Sequence, residues 1–356
     1  MMNKHVSTIS IEATAPAEAA VWDALYDLDP SALPTQSRVW ARAIEAVSGS
    51  RIIGRQYRFS DGLEAVLPLF GRRIFPLPVT VLNSPPPAWG FGGLLTSSAA
   101  TAWHLSAILD DCAGLPGAAV SIRPNPLHGS DWMQAGEAAG WAREPRNAHV
   151  LDLEGGFEAV WSTRFSGTAR NRIRRAQRQG VVVEIGNSEA LVREFDHLFR
   201  LSIDRWARKQ NEFRWLARLR GHVRDSSRKF RELALHAGGL LQFAIARHEG
   251  RPVAGVIILT DRNAHYTRGA MDALHIGKTY ANYLLHSTMI AHACKRGCRH
   301  YHMGETGNSH SLARFKGEFG AVAVPYAEIQ LERLPVFSAD RRMRSAVKQL
   351  IGFSDA

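Results

Sequence analysis

Three cysteines in 356 residues are too few to staple a fold. Cys112 stands alone, and Cys294 and Cys298 lie one helical turn apart at the end of a helical segment, so reduced thiols in a reducing compartment are expected. Long apolar runs are missing too. The longest, VAGVIILT, falls far short of the ~20 residues that a membrane span needs. The first residues, MMNKHVSTISIEATAPAEAA, contain no apolar stretch of the secretory kind. These absences predict a cytoplasmic protein. No low-complexity tract occurs and 45% of the residues are hydrophobic, which excludes a disordered chain. The length predicts two domains, 1–150 and 151–335, followed by a terminal helix over 336–356.

Lysine is the next scarcity. Only seven of the 44 basic residues are Lys, and 33 acidic residues leave a formal net charge of +11. Such a surplus suits a polyanionic partner: nucleic acid, a phosphorylated substrate or an anionic lipid surface. No acid occurs between Ala159 and Val183, yet this stretch holds Arg170, Arg172, Arg174, Arg175 and Arg178. Like charges three and four residues apart oppose one another by ~0.2–0.5 kcal/mol per pair. Ala169, Ile173 and Ala176 form the opposite, apolar stripe, and Gly180 follows as a stop. The segment is therefore a folded helix with a cationic face. Either remote carboxylates neutralise it or it receives phosphates.

Elsewhere the element order can be read from periodicity. In the first part AEAAVWDALYDL and RVWARAIEAVSG have helical spacing, while EAVLPLFGRR and TVLNSPPPAWGFGGLL read as strand and loop. The prolines and glycines from Ser84 to Gly93 forbid regular structure and predict a cleft wall displaying Trp89 and Phe91. In the second part VVVEIG is a strand, and SEALVREFDHLFRLSIDRW is an amphipathic helix with Leu191, Phe195, Leu198, Ser202 and Trp206 on one stripe. Helix continues through HVRDSSRKFRELALHAGG, with a break expected at Gly221. LQFAIARHE, PVAGVIILT and AHYTRGA are three strands separated by turn signals. A helix (YANYLLHSTMIAHACKRG), a strand (RHYHMG), a short helix (SLARFKGEF) and a strand (PYAEIQLER) complete the domain.

This order resembles that of a GNAT-type acyltransferase domain. TARNRIRRAQRQGVVVEI, DRWARK and RHYHMGETGNSHSLARFKGEFGA further resemble the FemAB/FemX family of peptidoglycan-bridge aminoacyltransferases. The resemblance covers most of residues 150–333, and the Trp-Gly-Phe-Gly-Gly loop extends it into the first half. It implies an α/β (α+β) fold of two tandem GNAT-like domains, each a mixed, mostly antiparallel sheet flanked by helices. It also implies an N-acyltransferase that moves an aminoacyl group from aminoacyl-tRNA, or an acyl group from acyl-CoA, to an amine of a cell-envelope precursor. Two departures stand out. Tyr301-His302-Met303-Gly304 lacks the acid of the family's Tyr-Asp-Phe-Gly, and residues 188–237 lack the heptads of a coiled-coil arm. The rival readings are a CoA-dependent enzyme acting on a sugar or polysaccharide precursor, and a non-catalytic RNA- or membrane-surface-binding protein.

The resemblance places Lys316 at the reaction centre, stabilising negative charge on the acyl carbonyl or leaving oxygen, with Phe315 packed beside it. In a chain that otherwise uses Arg, a retained Lys suits a compact point charge. Glu305 and Asp272 are candidate bases at strand ends. Arg170, Arg174, Arg205 and Arg208 are assigned to substrate phosphates, Tyr266 and Arg268 to the acceptor, and Trp89 to substrate binding. Gly277, Lys278 and Thr279 open a helix where free main-chain amides would cradle a donor pyrophosphate. His300, His302, Glu305 and His310 invite a metal reading, which is set aside because no supporting carboxylate is evident. No bound metal is expected. The tail ADRRMRSAVKQLIGF is a basic amphipathic helix with Met343, Val347, Leu350 and Ile351 on one side. Docking on the first domain is expected for it, with transient contact at the inner membrane surface as the alternative.

Overall fold

The structure, a computed structural model, describes residues 11–74, 78–307 and 309–350. In the first half β1 (Ile11–Thr14), α1 (Ala19–Leu28), α2 (Arg38–Ser48), β2 (Arg51–Ile52), β3 (Arg55–Phe59), β4 (Glu64–Leu67), β5 (Phe70–Ile74) and β6 (Val79–Ser84) come first. Next are β7 (Leu95–Thr96), α3 (Ala102–Gly114), β8 (Ala119–Ile122), α4 (Gly129–Ala138) and the long β9 (Ala142–Asp152). The second half holds α5 (Gly156–Ala159), α6 (Gly167–Arg178), β10 (Val182–Gly186), α7 (Glu189–Lys209), α8 (Arg214–Arg224) and α9 (Ser227–Ala237). It closes with β11 (Leu241–His248), β12 (Arg251–Thr260), β13 (Ala264–Met271), α10 (Ala281–Lys295), β14 (His300–Glu305), α11 (His310–Gly317), β15 (Val322–Glu332) and α12 (Val336–Leu350).

Serine hydroxyls start five of these helices: Ser37, Ser166, Ser188, Ser226 and Ser309 each accept the amide three residues on. β12 is buried from Val253 to Thr260 because α7 and α10 cover its two faces, which explains an apolar run without alternation. Gly221 does not break a helix. It lies inside α8, where a Cβ would stand 2.5 Å from Ile203 Cδ1, and the real interruptions fall after Lys209 and at Asp225.

One sheet runs through both halves in the order β10-β11-β12-β13-β14-β9-β15-β8-β6-β5-β2, beside a small sheet β1-β3-β4-β7. The halves exchange strands. β9, from the first half, pairs with β14 of the second, and β15, read from the sequence as the end of the second domain, pairs with β8 of the first. β9 and β15 then pair with one another from Val322↔Val150 to Gln330↔Ala142. The expected boundary at residue 150 thus falls inside β9. Trp89 and Phe91, expected on display, are buried between the halves at 8% and 3% exposure. Phe91 packs edge-on against His265 and Tyr326. α12 lies along β15, with Arg341 bonded to Gln330 and paired with Glu144 of β9. Of its expected apolar stripe, the Leu350 side chain and Ile351 fall outside the described residues.

A buried ion cluster fastens the exchange. Glu328 on β15 accepts from Ser121 of β8 at 2.6 Å and pairs with Arg123 at 2.8 Å and with Arg146 of β9 at 3.0 Å. Despite burial, the two guanidiniums hold its carboxyl down at about 2. Removing one member of such a cluster leaves charge buried without a partner. Glu328→Ala is expected to cost ~3–5 kcal/mol in urea unfolding, and Glu328→Gln, which keeps an acceptor for Ser121, distinctly less.

Candidate active site

β13 and β14 run parallel but pair only at Ala264↔Tyr301 and His265↔His302, and beyond that they separate. α11 closes this gap from one side. Lys316 Nζ donates to Gly304 O at 2.9 Å and Glu305 O at 2.8 Å, and the residue is only 1% exposed. Burial lowers its pKa to about 7, partly opposed by the Glu305 charge. Amine and ammonium therefore coexist near neutrality. Two N–H groups serve the carbonyls, so the third position on nitrogen is an N–H in the cation and a lone pair in the amine. Burial, with Lys316 as a further contributor, also pushes His286 down to about 3. His265 falls to about 3 through burial, then Arg268, then Lys316. Both imidazoles stay neutral.

In front of this amine lies a cleft of about 330 Å³ between α7, β13, α10 and α11. Tyr266, Asn282, His286, Phe315 and Arg205 line it, whereas Lys316 lies behind and does not. Tyr266 and His286 meet edge to face at 5.1 Å, and His286 meets Phe315 at 5.3 Å. The Tyr266 phenol folds back over Gly269, where a Cβ would stand 2.2 Å from the hydroxyl, so a larger residue there would push the phenol aside. Burial pushes that phenol up to about 12, leaving it a proton donor at neutral pH. Arg205 has a buried Nε without a partner and pairs with no carboxylate among the described residues. A half-buried guanidinium of this kind suits a phosphate or carboxylate of a ligand.

The turn before α10 is a second feature. Gly277 and Tyr280 have φ of 42° and 55°, and Thr279 Oγ1 donates to Ile276 O at 2.5 Å. Tyr280 gives α10 no side-chain cap, and the Gly277 and Lys278 amides donate no hydrogen bond among the described residues. The arginine helix reaches this turn, with Arg175 and Arg172 lying 5.2 and 5.9 Å from the centre of the Tyr280 ring.

The other expected site residues are distributed differently. Arg170 donates to the carbonyls of Trp161, Ser162 and Phe165, which fastens the start of its own helix. Arg172 pairs with Glu318 at 2.8 Å and bonds the Tyr283 hydroxyl. Arg174 is exposed over Trp161, so the cationic face is partly structural and partly free. Arg208 is exposed and lies outside the cleft. Arg268 donates to Ala88 O at 3.0 Å and faces Asp225 at 3.5 Å, and Lys229 sits 4.2 Å above the Trp89 ring. Trp89 and Arg268 thus clamp the two halves around a small cavity of about 40 Å³. The Glu305 carboxylate takes the Tyr326 hydroxyl and Arg146, so its main chain, not its acid, meets Lys316. Asp272 holds His275 at 2.6 Å and the Leu274 amide, and so shapes the turn. Among the described residues no three His, Cys, Asp or Glu side chains gather as a metal site.

Sequence reasoning missed His286 and Asn282. Their i, i+4 spacing on an otherwise apolar helix was the available signal.

Residues 163–316 match the acetyltransferase (GNAT) domain family. FemX superposes with a TM-score of 0.68 at 14% identity, covering 92% of this chain and 99% of that one. The C-terminal domain of a protein described as a lysylphosphatidylglycerol synthetase, from Agrobacterium fabrum, superposes with a TM-score of 0.51 at 13% identity, covering 92% and 95%. No curated protein matches the chain. The class is therefore a GNAT acyltransferase fold. Within the chain that domain is residues 163–316, and the fold of the whole chain is similar to that of FemX.

The Lys316 pKa has a stability consequence. The unfolded amine binds its proton up to 10.5 and the folded one only to about 7, so burial costs stability below pH 7 and the cost is relieved as pH rises between these values. Relative to Lys316→Met, the native protein is expected to gain about 1.4 kcal/mol per pH unit between pH 7 and 9 in urea unfolding. A flat difference would place the pKa near its ordinary value.

Proposed function

We propose that this protein is an N-acyltransferase of the FemAB type that joins an aminoacyl or acyl group to an amine of a phosphate-bearing cell-envelope precursor. One juxtaposition supports the reading: a buried amine with a pKa near 7 behind a cleft that presents the Tyr266 phenol and the Arg205 guanidinium. In the reaction the acceptor nitrogen attacks the acyl carbon, a C–N bond forms, and the C–O bond of a ribose ester or the C–S bond of a thioester breaks. The nitrogen loses a proton and the leaving atom gains one. No side-chain nucleophile is needed, so proximity and stabilisation of the carbonyl oxygen carry the rate. Tyr266 is placed to donate to that oxygen. Lys316 contributes a positive field and not a contact, and Arg205 holds an anionic group of the acceptor.

Acyl-CoA as the donor is the second reading, favoured by the open amides of Gly277 and Lys278 beside Arg175. Competition binding separates the two. Binding of charged tRNA that falls steeply with salt supports aminoacyl transfer, whereas binding of acyl-CoA alone assigns the CoA donor. With the donor so identified, Lys316→Ala is expected to lower kcat/KM roughly a hundredfold. Because the ammonium is the active form, native activity is expected to decline as pH rises above about 7, and the variant is expected to lack that limb. Unchanged activity and pH profile in the variant would remove Lys316 from the mechanism.

A further inference from the structure

Away from the cleft, α8 presents a surface unlike the rest of the molecule. It packs on α7 through Ala217 and Gly221, which are buried. At 3.6 residues per turn the opposite side carries Trp215, Leu219 and Val223. These are 67%, 55% and 79% exposed, and Phe213 at the helix start is 60% exposed. An amphipathic helix ordinarily buries such a stripe. Here the small residues face the protein and the large apolar ones face outward. Arg214 and Arg218 border the stripe on one flank, and Arg220 and Arg224 on the other. Residues 204–231 contain ten Lys and Arg against three Asp and Glu, a surplus of seven in a chain whose whole excess is +11.

We infer that α8 is an interfacial helix that lays Trp215, Leu219 and Val223 into the headgroup–acyl boundary of an anionic lipid bilayer. Apolar side chains bordered by arginines match both layers of such a surface: hydrocarbon beneath and phosphate above. Nucleic acid satisfies the arginines but offers aliphatic Leu219 and Val223 nothing to bury against. A second copy of this face would bring two positive surfaces together. The location has a consequence. A groove beside α8 includes Trp206 and Leu312, and both also line the cleft described above. That groove is lined by Ala217 and Gly221, so the cleft adjoins the inner side of α8, across the helix from its apolar stripe. The inference does not depend on the acyl-transfer reading.

The test is co-sedimentation of the full chain with vesicles of phosphatidylcholine alone and of phosphatidylcholine mixed with phosphatidylglycerol, at low and high salt. The variant combines Trp215→Ser, Leu219→Ser and Val223→Ser, all at exposed positions, and circular dichroism checks that its fold is kept. Expected are binding to the anionic vesicles, weakening with salt, and a loss of roughly tenfold or more in the variant. Vesicle-induced blue-shifted emission should also diminish in Trp215→Phe. Absence of vesicle binding overturns the proposal. So does equal binding by the variant, which would move the contact to another surface such as α12. Binding of an RNA oligonucleotide that the variant loses, without any vesicle binding, would reassign the face to nucleic acid.

Discussion

Exchange of two strands holds this protein together. β9 leaves the first half to flank β14, β15 leaves the second to flank β8, and the pair they form makes one sheet of what sequence reads as two domains. Neither half completes its sheet alone. The Glu328 carboxylate that secures the exchange is buried and its two arginine partners largely so, which makes the junction intolerant of a missing partner. The Ser84–Gly93 loop adds a second seam, since Phe91 enters between His265 and Tyr326.

The site follows from that exchange. Because β9 covers the free edge of β14, His149 pairs opposite Gly304 near the end of that strand. The amine of Lys316 is consequently held between two carbonyl oxygens with almost no exposed surface. Hydrogen bonds to carbonyls do not repay the hydration lost by an ammonium, so the proton is held weakly. The cleft in front opens between β13 and the helices α7, α10 and α11.

Much of this was legible in the sequence. The element order of the second half follows from periodicity and turn residues, and the Phe-Lys pair pointed to α11. The arginine helix was also visible, but not how its charges are distributed. Arg170 finds main-chain acceptors, and Arg172 finds Glu318 far along the chain, and no local pattern records such partners. Trp89 was read as a ligand contact because loops often display binding residues, and Arg268 as an acceptor contact on the third hairpin strand. Their tertiary neighbours are Lys229, Asp225 and Ala88, which makes them parts of a joint. Gly221 illustrates the same limit: its meaning is a close approach to Ile203, and sequence alone offered only a helix breaker.

The placement of a titrating amine behind the cleft is what the functional reading rests on, and it can be observed directly. With only seven lysines, isotopic labelling of the side-chain amines permits a residue-resolved NMR titration, with Lys316→Met assigning the signal. The expected midpoint for Lys316 is near pH 7. A midpoint close to the ordinary 10.5 would mean that the amine is solvated, and the site as described here would be wrong.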